Sequence, residues 1–506
     1  MILFIHPPVS KPTEPPAGLA RLAGFLRQQG QQYRIIDANL EGLLFLGDSI
    51  AKATDTWSIR ASRNVGRNIQ AIRTKNIYSS LDRYKRAVLD LNRMIEVAGG
   101  NPRIVIGLAN YQDQSLSPLK SQDLLRSAEN FQENPFFAYF APRLTECIER
   151  ESPDWIGFSL NYLHQAVTTL AMIGFIKQRF PAVPIIVGGG LITSWLSHPH
   201  WSNPFAGLID YLIGGPGELT LLELLTGQKL ASPILPATPD YSALPLPLYL
   251  APGTILPYSA SSGCYWQQCT FCPELAEGNG YRPLPPEKVR HDVTLLREQH
   301  QPILLHLLDN ALSPRLLRHL IQNPPGLPWY GFSRITSHLE DLDFCRALAR
   351  SGCVLLKLGI ESGDQEVLDQ MEKGISLEAV STVLKNLKKA GIRSYVYLLF
   401  GTPWESSASA FRTLDFTRDH QAEIDFLNVA IFNMPLLGPD VSKFEPRGFY
   451  SGDLCLYTDF VHPLGWDRKK VRHFLDHTFK KEPVISAILK RDPPIFTSNH
   501  AALCSW

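Results

Sequence analysis

Three cysteines crowd into one short run, Gly263-Cys264-Tyr265-Trp266-Gln267-Gln268-Cys269-Thr270-Phe271-Cys272-Pro273. Three thiolates on one loop can hold three irons of a cubane iron–sulfur cluster, which ordinarily takes four cysteines. With no fourth protein ligand, one iron stays open for chemistry. The competing reading is zinc, for which the spacing of Cys269 and Cys272 would serve. Zinc needs a second pair nearby, and Cys345 and Cys353 are spaced wrongly, on and after a predicted helix. Cys147, Cys345, Cys353, Cys455 and Cys504 read most simply as small buried apolar residues, with Cys455 or Cys504 as an alternative auxiliary-cluster ligand.

The loop needs elements that hold it. It follows a strand-like run, Ile255–Ala260, and precedes further strands at Ile303–Leu308, Trp329–Ser333, Val354–Ile360, Ser394–Phe400 and Phe426–Ile431. Helices fit between them at Pro286–Gln299, Pro314–Gln322, Leu339–Ser351, Gln365–Met371 with Leu377–Ala390, and Ser407–His420. Repeated strand–helix units predict a partial (β/α)6 barrel over 253–434, with chemistry at the strands' C-terminal ends. The tail, 435–506, has no clean repeat and is expected to cover the open side and shape a substrate pocket.

An earlier unit, 1–230, shows the same alternation. Strands are predicted at Ile2–Ile5, Tyr33–Ile36, Trp155–Leu160, Pro184–Val187 and Tyr211–Ile213. Helices follow at Ala17–Gln29, at Gln165–Arg179 and after Glu218. This α/β pattern, with glycines at strand ends, predicts a doubly wound parallel sheet that binds ligands beyond its carboxyl ends. Residues 45–150 interrupt it as an expected helical insertion. From Trp57 to Arg93 it carries nine Lys or Arg against two Asp. Its basic face reads as a solvated helix surface or, more sharply, as a lid that attracts an anion. Residues 231–252, rich in Pro, Ala and Leu, read as a linker.

The bulk numbers exclude some classes. In 506 residues, 49 Lys+Arg nearly cancel 48 Asp+Glu, so global charge gives no push toward nucleic acid or an anionic membrane. No apolar run approaches a membrane span, and the N-terminus reads as a buried strand, not a signal peptide. Eight unevenly spaced cysteines suit a reducing cytoplasm better than a disulfide scaffold.

Cys264-x4-Cys269-x2-Cys272 with Phe271 resembles the cluster loop of radical S-adenosylmethionine enzymes, with one residue more than the commonest spacing. Its wording is similar to that of members with an N-terminal cobalamin-binding domain. Leu307-Leu308-Asp309-Asn310-Ala311 resembles the family's second-strand end. Gly359-Ile360-Glu361-Ser362-Gly363 with Met371, Lys373 and Gly374 resembles the fourth, and Phe400-Gly401-Thr402-Pro403-Trp404-Glu405 the fifth. The resemblance implies a [4Fe–4S] cluster on the three cysteines and S-adenosylmethionine chelated at the open iron. Reductive cleavage would then give a 5′-deoxyadenosyl radical that abstracts hydrogen from unactivated carbon. It also implies cofactor contacts for Phe271, Asp309, Asn310, Arg334, Glu361, Ser362 and Gly401. Phe271 would lie at adenine, Asp309 and Asn310 near the methionine end, Glu361 at the ribose and Arg334 at the methionine carboxylate. Bland readings stand beside these: a helix cap for Asp309, a barrel salt bridge for Glu361, a structural guanidinium for Arg334.

The first unit resembles the subgroup's cobalamin-binding domain. Ser159, Asn161, Gly188, Gly189, Gly214 and Gly215 match its strand-end loops, where glycines would let backbone approach a corrin. The Asp-x-His-x-x-Gly run that supplies a lower-axial histidine elsewhere is missing. A lobe that has lost cobalamin is therefore the alternative. The leading expectation is cobalamin-dependent methyl transfer to an unactivated carbon of a small molecule or peptide, with a flavodoxin or ferredoxin as reductant. Radical cyclisation, rearrangement or oxidation without methyl transfer is the second reading. A non-catalytic iron–sulfur carrier or sensor is the third. RNA methylthiolation would bring three further N-terminal cysteines that this chain lacks. The catalytic residues toward the substrate, its identity and the oligomeric state carry no sequence signal.

Overall fold

The computed structural model describes residues 1–48, 55–228, 236–448, 451–496 and 500–504. Residues 49–54 of the insertion and 231–235 of the expected linker lie outside the described residues. Two compact units divide the chain. One is Met1–Thr254 with two short later segments, ending at Cys455 and at Pro494–Phe496; the other holds most of the rest.

The first unit is built on five parallel strands, β1 (Ile2–Ile5), β2 (Tyr33–Ile36), β3 (Trp155–Ser159), β4 (Ile185–Gly188) and β5 (Tyr211–Ile213), in the order β2-β1-β3-β4-β5. The order turns at β1 and β3, which lie side by side and send their connections to opposite flanks. Such a reversal leaves a crevice at the carboxyl ends. The helix Ala17–Gln28 lays Leu19 and Leu26 on Ile2, Phe4, Ile186 and Ile213. The helix Glu218–Thr226 adds Leu221 to the same layer. The insertion is mostly helical, but an antiparallel hairpin, Ile104–Ile106 with Tyr111–Asp113, breaks the helical run. The β-branched run Ile104-Val105-Ile106 favours a strand, and residues 107–110 turn the chain back. Residues 240–250 are fastened within this unit. Asp240 accepts from Tyr33 Oη at 2.6 Å, and Leu250 N donates to Pro12 O at 2.8 Å.

The second unit has six parallel strands, β6 (Ile255–Tyr258), β7 (Leu304–Leu307), β8 (Trp329–Ser333), β9 (Cys353–Glu361), β10 (Arg393–Phe400) and β11 (Phe426–Ile431), in strict sequence order. After Pro286–His300, which begins at a proline, the helices between them start where short polar side chains can take an orphan amide. Ser313, Asp341, Asp364, Ser376 and Ser406 each accept a backbone N–H of the first turn. Leu377–Ala390 ends at Gly391, which takes the left-handed conformation that stops a helix. The predicted helix Leu339–Ser351 is instead a short 3-10 turn, Ser337–Glu340, followed by Leu342–Arg350, because Asp341 caps a new start. In the tail, Tyr457–Phe460 pairs with Met434–Pro435 and Pro446–Arg447, and helices run over Arg468–His477 and Pro483–Leu489. Among the described residues, no helix is long and apolar enough to cross a membrane.

Candidate active site at the barrel strand ends

The cysteine loop leaves the end of β6, and Asp309 past β7 holds that exit. One carboxylate oxygen accepts from Ala260 N at 3.0 Å and the other from the Ser261 hydroxyl. Burial lifts this carboxyl to about 6 against the pull of those bonds. Asp309 is thus committed to the strand end that feeds the loop, and Ser313, not Asp309, caps the next helix. Asn310 is exposed and hydrogen-bonds Glu274, just past Cys272.

All three cysteines are free thiols; Cys269 is buried, Cys264 and Cys272 half-buried. Cys272 N donates to Cys269 O at 3.1 Å, so the loop closes a turn before the helix Pro273–Ala276. A second segment, 371–374, docks it. Thr270 N donates to Met371 O at 3.2 Å and Trp266 Nε1 to Glu372 O at 3.1 Å. Gly374 has φ +66°, and a Cβ there would lie 2.1 Å from the Trp266 ring. Only glycine allows that approach.

Two cations converge on the thiols. Arg334, past the end of β8, sits with Nη1 3.6 Å from Cys269 Sγ, donates to Lys373 O and stacks 4.3 Å over Trp266. Lys373 Nζ donates to Glu361 Oε1 at 2.7 Å and lies 5.4 Å from the Phe271 ring. Burial raises the Cys269 thiol pKa, while Lys373 and Arg334 pull it down. Burial pushes Cys272 up to about 11. Cations beside buried sulfurs favour the thiolate that an iron ligand requires.

The structure brings Cys269, Phe271, Arg334 and Glu361 together through Lys373, which the sequence reading passed over as a ligand-side residue. Its signal lay in the Met371-Glu372-Lys373-Gly374 run. Glu361 occurs where β9 slips register against β10, and its φ of +70° puts a non-glycine residue in the left-handed region. Bulges of this kind re-aim side chains near sites. The salt-bridge reading of Glu361 is therefore realised, with one carboxylate oxygen on Lys373. Ser362 is fully buried; it accepts from Asp364 N at 3.1 Å and meets Thr413 Oγ1 at 3.3 Å, so its hydroxyl builds the turn. Gly401 N donates to Glu405, whose buried carboxyl also accepts from Trp466 Nε1 at 2.9 Å.

In the first unit, a cleft with about 720 Å³ of empty space opens at the ends of β3, β4 and β5. Ser159, Asn161, Gly188, Gly189 and Gly215 line it, whereas Gly214 faces the Leu196 side chain. Asn161 fixes the rim. Its Nδ2 donates to Ser159 Oγ at 3.0 Å and its Oδ1 accepts from Gly190 N at 3.0 Å. Gly189, at φ +112°, has no room for a Cβ, which would fall 2.4 Å from Leu160 O. A Cβ at Gly18 or Gly215 would meet nothing within 4 Å. Below, Phe4, Leu19, Leu22, Phe158 and Leu221 make an apolar floor, with the Arg21–Glu218 ion pair at one wall.

Comparison with known proteins agrees with this architecture. Residues 258–416 match the radical SAM superfamily. An uncharacterized methyltransferase of Pyrococcus horikoshii is 23% identical over 327 residues, 57% of this chain and 68% of that protein. An anaerobic magnesium-protoporphyrin IX monomethyl ester cyclase of Rubrivivax gelatinosus is 24% identical over 321 residues. That match covers 55% of this chain and 56% of the cyclase. The radical S-adenosylmethionine methyltransferase TsrM of Kitasatospora setae, solved with cobalamin and a [4Fe–4S] cluster, shares the fold. Its TM-score is 0.52 at 15% identity, over 87% of this chain and 76% of TsrM. Residues 258–416, which carry the three-cysteine loop on the first strand of the six-stranded barrel, thus form a radical SAM superfamily domain, and the cofactors of that superfamily are a [4Fe–4S] cluster and S-adenosylmethionine.

Proposed function

We propose that Cys264, Cys269 and Cys272 hold the cluster, and that the first-unit cleft holds cobalamin for methyl transfer to an unactivated carbon of a small molecule or peptide. The supporting observation is the loop itself: three free thiols with Arg334 and Lys373 beside them, docked at the strand ends of a parallel barrel. Among the described residues, no three His, Cys, Asp or Glu side chains converge on one metal position. A cubane asks for one thiolate on each of three irons, which the three cysteines of the loop can supply. The cleft suits a corrin's tail: its floor is apolar, and its mouth is open backbone at Gly18 and Gly215. When bound, the cluster and S-adenosylmethionine supply an electron and a deoxyadenosyl radical, and cobalamin supplies a transferable methyl group.

The chain's residues have distinct tasks in this reading. Asp309 and Gly374 fix the loop. Arg334 donates toward Cys269 sulfur, which stabilises negative charge there and bears on the cluster potential. Lys373 orients Glu361, leaving its second oxygen to accept from ribose hydroxyls. Phe271 offers an apolar face to adenine. A flavodoxin or ferredoxin would deliver the electron.

The test is anaerobic purification with cobalamin supplied, followed by spectra, iron and sulfide content, and nucleoside products. Methyl transfer predicts bound corrin and both 5′-deoxyadenosine and S-adenosylhomocysteine. The cyclase relative supports a second reading, a radical ring closure without methyl transfer. It predicts 5′-deoxyadenosine alone. Cluster without cleavage of S-adenosylmethionine would refute both.

A further inference from the structure

The inward face of the second unit can be read from its register. Phe400 packs on Phe474 and Phe479 of the tail helices, so its neighbours Leu399 and, two and four residues back, Tyr397 and Tyr395 point the other way. Parallel pairing puts Tyr397 beside Gly359 and Asn428, and Leu399 beside Ala430. Phe332 joins this face, its ring 5.0 Å from Tyr397. Leu399 and Phe271 of the loop both pack against the apolar cluster of Phe432, Met434 and Phe460.

Phe332, Tyr397 and Leu399 keep partial exposure although β8 and β10 are internal strands, and Asn428 and Ala430 on the edge strand β11 are partly exposed beside them. The charged groups on the same face are engaged within the protein. Lys357 is buried with His306 Nε2 3.0 Å away, and Glu361 is held by Lys373. From Tyr395 toward the strand ends, Glu361 is the one charged group of β8 to β11 on this face with partial exposure among the described residues. Polar character is concentrated in one spot. Asn428 Nδ2 donates to Tyr395 Oη at 3.4 Å, and Tyr397 hydrogen-bonds Tyr395. Asn428 keeps its amide carbonyl as an acceptor for a ligand donor.

We infer that the part of the substrate entering the barrel is uncharged, apolar and flat, packed against Phe332 and Tyr397 with one donor group read by Asn428. A phosphate or carboxylate there would lose its hydration, and the cation of this face, Lys357, is itself buried on His306 and against the Tyr330 and Phe332 rings. A flat apolar group gains by stacking on one ring and meeting the other edge-on, since Phe332 and Tyr397 are tilted 56° to each other. This inference rests on the proposed radical chemistry only for the place of the reaction.

Two probes with the same ring system test it, 2-naphthol and naphthalene-2-sulfonate, by anaerobic equilibrium dialysis against the cluster-reconstituted full chain saturated with S-adenosylmethionine. The neutral probe should bind at least about tenfold more tightly than the anion. Phe332→Ala and Asn428→Ala should each weaken 2-naphthol at least about fivefold. Iron content and circular dichroism report whether those variants fold, and Tyr397→Phe gives a milder change that should weaken binding without disturbing the fold. Equal or tighter binding of the sulfonate, or unchanged 2-naphthol binding in folded Phe332→Ala and Asn428→Ala, overturns the inference. Nucleosides measured in the same preparations keep the two claims apart. Absence of S-adenosylhomocysteine removes methyl transfer while leaving a neutral-probe preference standing.

Discussion

Cys269 is the thiol on which two cations bear, directly by Arg334 and electrostatically by Lys373. Cys269→Ala should abolish both cluster assembly and cleavage of S-adenosylmethionine, read as iron content and 5′-deoxyadenosine; retained cleavage would refute the ligand assignment. Glu361 and Lys373 work as a pair. Glu361→Ala should weaken S-adenosylmethionine binding about tenfold with iron content intact, the scale of one charge-assisted hydrogen bond. Lys373→Met should do the same by leaving the Glu361 carboxylate half-buried without its partner. Combining the two should cost less than the sum, as expected for residues in contact. Calorimetric titration of S-adenosylmethionine into the four proteins checks this, and additive losses would show that the two act separately. At this scale the sequence was uneven. Cysteine spacing is a property of neighbours in the chain and could be read directly. Lys373 meets Glu361 only because a helix and turn carry the chain back over β9. Asp309 turned out to hold Ala260 and Ser261, partners distant in sequence that no local pattern names.

Strands and helices were legible because their signals are local. Tyr33–Ile36, Trp329–Ser333, Phe426–Ile431 and Leu377–Ala390 follow apolar runs or 3.6-residue stripes bounded by caps and glycines. The hairpin at Ile104–Ile106 was hidden inside a long helical insertion, and three residues per strand are too few for a period to show. The corner after β10 is also non-local. Glu405 there accepts from Gly401 N and Trp466 Nε1, while His462 Nε2 meets Thr402 O at 2.9 Å, so the tail is latched to the barrel by buried polar groups. Burial pushes Glu405 up to about 8, so the folded state holds its proton over a range where the unfolded chain has lost it. Stability from this group is therefore full in acid and falls as pH rises from the ordinary carboxylate range to about 8. The slope is at most about 1.4 kcal/mol per pH unit. Glu405→Gln keeps an acceptor but cannot ionise. Its stability relative to the parent should climb between those limits, as measured by denaturant unfolding at several pH values. Parallel curves would place the ionisation elsewhere.

At the scale of the whole molecule, the chain carries two parallel sheets, each with its own core and its own opening at the strand ends. The cleft of the first unit is lined by β3 to β5 and the helix Ala17–Gln28, and the thiol loop by β6 to β9. If the two openings serve different cofactors, damage to one should leave loading of the other intact. Leu22 is suited to that test because it lines the cleft while remaining only partly buried, so a change there need not unfold the sheet. Leu22→Arg places a long cation over the apolar floor formed by Phe4, Leu19 and Leu221. The cleft's own carboxylate, Glu218, is already held by Arg21, so burying the added charge costs several kcal/mol, enough to exclude the aromatic base of a corrin's tail. The variant should lose corrin absorbance after anaerobic reconstitution while keeping parental iron and sulfide content and the ability to release 5′-deoxyadenosine. It should also lose S-adenosylhomocysteine formation, since methyl supply depends on the first unit. Full corrin uptake by Leu22→Arg would move cobalamin out of this cleft. Loss of iron together with corrin would show that the units do not load independently.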